Sequence, residues 1–317
     1  MQLSTAVMAV LLASGDEPRR PVRGGLYESC GCAEVGWPTR SRFEDYHPDE
    51  SPNLETKDFT CALALYVDSP DITPKEKFSH LASQARRGEK WNTALSSYLA
   101  KLDWGRYLDD VYRRAASLRP DEWVAASDNT RAHREAHPEM KAPPVRLARL
   151  FFEQALRTED PFARRVMISW LREPSATVEQ ALAIAKRLPQ EDNPNVREAI
   201  LKVQLTHDDP RTNKVVRDFL RGPLELKVLN GLCKGYPVDR AFFAEQNRHD
   251  FLPDLRALRD RLAAEKDVRK RYEAREGLEL LDELIPALEK KKEANAPTCP
   301  ARRAQQGAAD GGTGAPR

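Results

Sequence analysis

The chain has 317 residues, 40% of them hydrophobic and 32% charged, which is enough for one large or two ordinary domains with real cores. Its 51 basic and 49 acidic residues leave a formal net charge of only +2, so no global charge draws it to nucleic acid or to an acidic membrane surface. No apolar run approaches the roughly 20 residues that span a bilayer, and the mean hydropathy of -0.65 fits exposed helices rich in Lys, Arg and Glu.

Residues Ala6 to Ala13 read AVMAVLLA and lead into Ser14-Gly15-Asp16, with small residues at Ala13 and Gly15. Residues 1–15 therefore resemble a signal peptide, although no Lys or Arg precedes Arg19. The expectation is export to a periplasm or the medium, with a cytoplasmic location as the alternative. Export would let Cys61 bridge to Cys30 or Cys32. Cys30 and Cys32 pair poorly with each other, because a one-residue spacer strains the ring. Cys30-Gly31-Cys32 also lacks the second matching pair that a metal or redox motif needs. Cys233 falls on an apolar face and reads as a small core residue.

Residues 16–72 read as an irregular arm, punctuated by Pro18, Pro21, Pro38, Pro48, Pro52 and Pro70. Within it, Phe59, Cys61, Leu63, Leu65 and Val67 alternate, which predicts a strand. The acidic run Glu44-Asp45, Asp49-Glu50 reads as a solvated loop, since it lacks the alternation of a calcium loop.

Residues 73–143 read as an aromatic-rich helical region. Thr73, Pro74 and Glu76 form a helix start with a capping box. Trp91, Leu95, Tyr98, Leu99 and Leu102 keep helical spacing, and after Asp103 so do Trp104, Tyr107, Leu108, Val111 and Tyr112. Pro120 opens a short helix with Trp123, and polar residues 127–143 predict a connection ending at Pro143-Pro144. Asp109 and Asp110 stand beside Arg113 and Arg114, as helical ion pairs do.

Residues 144–252 carry the clearest pattern. Helix starts at Pro144, Pro161, Thr177, Pro194, Pro210 and Pro223 follow at steps of 17, 16, 17, 16 and 13 residues. Asp160-Pro161, Asn193-Pro194 and Asp209-Pro210 share one form, a capping side chain before a proline in the first turn. Gly222 and Gly235 stand where helices should stop. Helices of about 12 residues with short connections must double back as antiparallel pairs. Pairs stacked on pairs bury stripes that single short helices cannot.

The segments DPFARRVMISWL (160–171) and NPNVREAILKVQL (193–205) resemble HEAT repeats of the short kind, and the likeness covers about residues 144–235. DPRTNKVVRDFL (209–220) departs from the pattern, with Asn213 where Arg is usual. The resemblance implies an α-solenoid that binds a protein or peptide. Residues 253–293 read as two closing helices, with stripes at Leu255, Leu258 and Leu262 and at Leu278, Leu281, Ile285 and Leu288. Residues 294–317 lack apolar periodicity and are expected to be disordered.

His133 and His137 are four apart, the spacing at which two imidazoles on one helix face share a zinc ion. Glu135 is misplaced for the metalloprotease motif, so an exposed polar connection is the better reading. Trp91, Trp104, Trp123 and Trp170 read as core rather than as a ligand groove. Arg164, Arg165, Arg197 and Arg217 read as a solvated face. No residue is assigned to catalysis, to a cofactor or to a metal.

The functional expectation is an all-α, non-enzymatic scaffold presenting outward residues such as Arg165, Arg197 and Lys214 to a protein or peptide partner. Two rivals remain open. One is an exported enzyme with its site near His47, His80 and Asp45; the other is a structural envelope protein without a ligand.

Overall fold

The computed structural model describes residues 25–29, 31–34, 55–85, 92–235, 238–266 and 271–295. The signal-peptide reading of residues 1–15, the tail from 296 onward, Cys30, Cys299, Trp91, His47 and Asp45 lie outside them. The described residues hold α and 3-10 helices and no strand. None of these helices is long and apolar enough to cross a membrane. The chain divides into two compact units, residues 1–167 and 168–317.

In the first unit, α1 (Leu26–Ser29) and a 3-10 turn (Cys32–Glu34) sit against α2 (Glu55–Asp68). The predicted strand is therefore a helix. Phe59 and every residue from Cys61 to Val67 are buried, so the alternation was one reading of a run without a polar side. A helix that is apolar all round is one enclosed by its neighbours. The described residues of this region thus hold helices where an irregular arm was expected. Cys32 is bonded to Cys61, with Cα atoms 5.6 Å apart. Gly31 makes the turn before Cys32 at φ +68°, a conformation that a side chain disfavours. The Tyr27 amide donates to Asp68 at 2.9 Å, and Tyr27, Ala64 and Leu65 enclose the disulfide.

Four helices follow: α3 (Pro74–Ala85), α4 (Asn92–Leu102), α5 (Trp104–Arg114) and α6 (Pro120–Ala136). Thr73 and Glu76 make the expected capping box, and Asp103 caps α5 through the Arg106 amide at 3.0 Å. Packing centres on α4, which touches α3, α5 and α6. Residues 127–136, expected as a connection, continue α6. Their polarity is internal: Asn129 donates to Ser96 Oγ at 2.9 Å and to Tyr107 Oη at 3.0 Å, and all three side chains are buried. Thr130 donates to the Ala126 carbonyl at 2.6 Å. A buried polar network is satisfied at little cost, yet on paper it looks like surface. Next come α7 (Val145–Arg157) and α8 (Pro161–Ser169), whose start is capped by Asp160 on the Ala163 amide at 2.7 Å.

The second unit contains α9 (Val178–Ala185), α10 (Pro194–Thr206), α11 (Pro210–Arg221), α12 (Leu226–Cys233), the short α13 (Phe242–Glu245), α14 (Leu252–Ala263) and α15 (Arg271–Asn295). Thr177, Asn193 and Asp209 cap α9, α10 and α11 as their sequence form predicts. Helices two apart, or three apart across the short α13, pack side by side. α11 touches α9 and α14, while α12 touches α10 and α15. Consecutive helices pack across these two rows, α9 on α10, α10 on α11 and α14 on α15. The buried core runs from Leu201 and Leu205 through Val216, Leu229 and Phe251 to Leu281 and Leu288. Cys233 is within it, and burial pushes its thiol well above the ordinary range. A Cβ at Gly235 would run into the backbone of Arg240 and Ala241, so the chain leaves α12 through a gap that only glycine fits.

Basic side chains tie the ends of helices to distant parts of the chain. Lys77 donates to Val67 O at 2.6 Å. Arg197 donates to Leu188 O at 2.5 Å and Glu191 O at 3.1 Å. Arg248 donates to Leu205 O at 2.7 Å and His207 O at 3.2 Å. Arg261 donates to Arg221 O at 2.6 Å and Leu220 O at 3.0 Å.

The disulfide closes a loop of 29 residues. Cys61→Ser is expected to cost about 3 kcal/mol. Guanidinium unfolding followed by circular dichroism should show the lowered midpoint in the variant and in the reduced wild type alike.

Candidate functional site

The described surface of the second unit carries a groove of about 220 Å³ between α12 and α15. On α12, Leu226, Asn230 and Lys234 recur every four residues and so share one face, while Val228, Leu229, Leu232 and Cys233 are buried on the other. On α15, Ala274, Leu281, Leu284, Ile285 and Leu288 are buried, which turns Glu276, Glu279, Leu280 and Glu283 to the groove. Leu226 and Leu280 supply its apolar part.

Three carboxylates here face one ammonium, that of Lys234. Among the described residues no basic side chain pairs with Glu283. Glu279 has only a loose contact with Arg275 at 3.8 Å, both largely exposed. Tyr272 continues the same stripe one turn earlier and is 61% exposed. Its hydrogen bond to Glu276 holds the phenol above its ordinary value.

A second groove, about 490 Å³, lies in the first unit between α3 and α5, with Lys75, Phe78, Ala82, Arg106, Asp109 and Arg113 along it. Its charges are largely neutralised from within. Arg106 meets Asp103 at 3.4 Å, and Asp110 meets Arg113 at 3.8 Å and Arg114 at 3.3 Å. The helical ion pairs expected at Asp110 are thus present.

The residues singled out in the sequence do not converge. Arg165 is exposed and stands over the exposed Phe162 ring, 5.4 Å from its centroid. Lys214 is exposed and pairs with Asp218 at 2.5 Å. Arg197 does not present its head outward, because besides its two carbonyls it donates twice to Glu225, at 2.6 Å each. Arg164 is buried on the carbonyls of Thr158 and Glu159, at 2.9 Å each, and Arg217 holds Asp254 at 3.1 Å. The four arginines expected as a solvated face are thus, Arg165 apart, bonded within the protein. Trp123 and Trp170 are core, and Trp104 is half-buried.

His133 stacks on Trp104 with ring centroids 4.2 Å apart, and His137 lies 4.3 Å beyond it. Glu139 takes the Nδ1 of His137 at 3.1 Å. No group of three or more potential metal ligands occurs among the described residues. Burial and then the neighbouring His137 lower the pKa of His133. Burial also lowers that of His207, whose Nε2 is enclosed without a hydrogen-bond partner. The His80 ring lies tilted at 45° to that of Tyr66, with centroids 5.4 Å apart. Shifted groups are therefore scattered over both units rather than gathered in one cleft.

No family model, curated protein or solved structure matches the chain.

The groove residues went unremarked in the sequence because Glu276, Glu279 and Glu283 read as an ordinary polar face. Their three- and four-residue spacing was visible, but the α12 wall opposite them was not.

Arg197→Ala would leave Glu225 and two carbonyls without their donor. The expected loss is about 2–3 kcal/mol of stability, read as a lower urea midpoint. Burial makes His133 and His207 harder to protonate when folded, whereas in the unfolded chain they take up protons near pH 6.5. Stability is then full above about pH 6.5 and falls as pH drops through their lowered folded values. Urea midpoints between pH 7.5 and 5 should decline, and His207→Gln should flatten part of that decline. A flat wild-type profile would refute the assignment.

Proposed function

We propose that this chain is a non-enzymatic helical-repeat scaffold. In this reading its second unit is a short α-solenoid of the HEAT kind, and a protein or peptide partner lies along the row formed by α10, α12 and α15. The observation that carries the reading is the packing of helices that are not consecutive, two apart or, across the short α13, three apart: α9 beside α11 beside α14 and α10 beside α12 beside α15. That is the neighbour pattern of stacked helical hairpins, in which each pair buries a stripe the next pair covers. The shared capped starts at Asn193-Pro194 and Asp209-Pro210 give consecutive helices the same local form.

Solenoids of this kind bind through rows of side chains on one face, and the α12–α15 groove lies between two members of one row. Arg165 beside the exposed Phe162 is a further contact position, in the first unit. The Cys32–Cys61 bridge favours an oxidising compartment, in keeping with export.

A photo-crosslinking residue placed at Lys234, and in a separate variant at Glu179 in the other row, tests the proposal in cells of the native host. The expected result is one polypeptide captured from position 234 and not from 179, identified by mass spectrometry and rebinding after purification. Equal capture at both positions, or none at either, would sink the scaffold reading.

A further inference from the structure

We infer that the α12–α15 groove takes a short extended peptide segment bearing alternating Lys or Arg side chains. This rests on the scaffold reading above and names the chemistry of the partner.

The charge of the groove runs against that of the molecule. The whole chain carries +2, yet Glu276, Glu279 and Glu283 outnumber Lys234 three to one along the groove. Two other carboxylates of α15 meet arginines of α14. Asp282 meets Arg259 at 2.5 Å, and Glu289 pairs with Arg256. Those two acidic residues hold the helix pair together, whereas the groove carboxylates face away from α14. Glu283 has no cationic partner among the described residues, and Glu279 has only the 3.8 Å approach of Arg275. A cation arriving at Glu283 meets charge that no described cation already answers.

The dimensions suit an extended chain. From Tyr272 to Glu283 the α15 stripe rises about 16 Å at 1.5 Å per residue. An extended peptide rises about 3.3 Å per residue, so about five residues span the stripe. Successive groove carboxylates are separated by about 4.5 and 6 Å of rise. Alternate side chains of an extended segment recur every ~6.6 Å, close enough for flexible lysine stems to meet them in turn. The aliphatic stems of those lysines would rest on Leu226 and Leu280. Tyr272 adds an open ring at one end, and Arg275 already lies 5.5 Å from its centroid, so the ring accepts a cation.

The probe is a fluorescein-labelled nonapeptide of alternating Lys and Ala, with a Glu-for-Lys version as control, titrated with the full chain by fluorescence anisotropy. The Lys peptide should bind, the Glu peptide should not, and added salt should weaken binding. Glu279→Lys/Glu283→Lys should weaken it by at least about tenfold, whereas Glu179→Lys on α9 should change it by less than about twofold. Circular dichroism checks each fold, and Glu279→Gln/Glu283→Gln serves should the reversed pair misfold. Binding that is indifferent to the Glu279 and Glu283 changes, or shared by the Glu peptide, overturns the inference. So does a dimer in sedimentation velocity that those substitutions dissolve, since a second copy would then occupy the groove. If the nonapeptide fails while position 234 still captures one partner, the scaffold stands and only the cationic chemistry falls.

Discussion

A helix leaves its last four carbonyls without internal donors, and short helices have a large share of their length in that condition. In the second unit helices of 8 and 13 residues, α9 and α10, follow each other with little room between. Cationic side chains from other turns answer these carbonyls: Arg197 at the turn after α9, Arg248 at the end of α10, Arg261 at the end of α11. Each such contact also meets the negative end of the helix dipole, so charge and hydrogen bond act together. These ties assist the packing of the apolar stripes, because a carbonyl buried without a donor would cost about 1–3 kcal/mol.

The same ties decide what the surface can do. A chain with 51 basic residues looks equipped for anions, but its most regular arginines are spent inside. Arg248 is buried over Phe251, 4.8 Å from the ring centroid, and also meets Asn213 and Asp250. Arg217 stands 5.1 Å from the same ring while holding Asp254. Along the α12–α15 groove, by contrast, three carboxylates of α15 face one ammonium. The local field that a partner meets therefore differs in sign from the net charge of the protein.

The first unit solves a different problem. Its α1 is 4 residues long, too short to hold a place by packing alone, and the Cys32–Cys61 bond fixes the turn that follows it. Around α4 the interior is partly polar. Ser96, Tyr107 and Asn129 satisfy one another there, with Ser96 and Tyr107 3.1 Å apart. Burial and these hydrogen bonds act oppositely on Tyr107, and burial prevails, keeping the phenol protonated.

Helix starts were legible from sequence wherever a cap is local. Thr73 with Glu76, Thr177 with Gln180, Asn193 and Asp209 each act within three residues, so no distant neighbour can change them. The helical periodicity of α5, α10, α11 and α14 was legible for the same reason, since their stripes belong to one helix at a time. The α2 helix was misread as a strand because a run buried on all sides carries no period. The end of α6 was misread as a connection because Ser127, Asn129 and Thr130 are polar residues that the fold encloses. Arg197 was misread as outward because its partners Leu188, Glu191 and Glu225 are brought to it by turns, not by spacing. By itself the sequence determined where most helices begin and which of their faces is apolar, through interactions of a few residues' range. Tertiary structure alone decided which cations are spent on carbonyls and which carboxylates are left open, because both depend on what the neighbouring helix places opposite them.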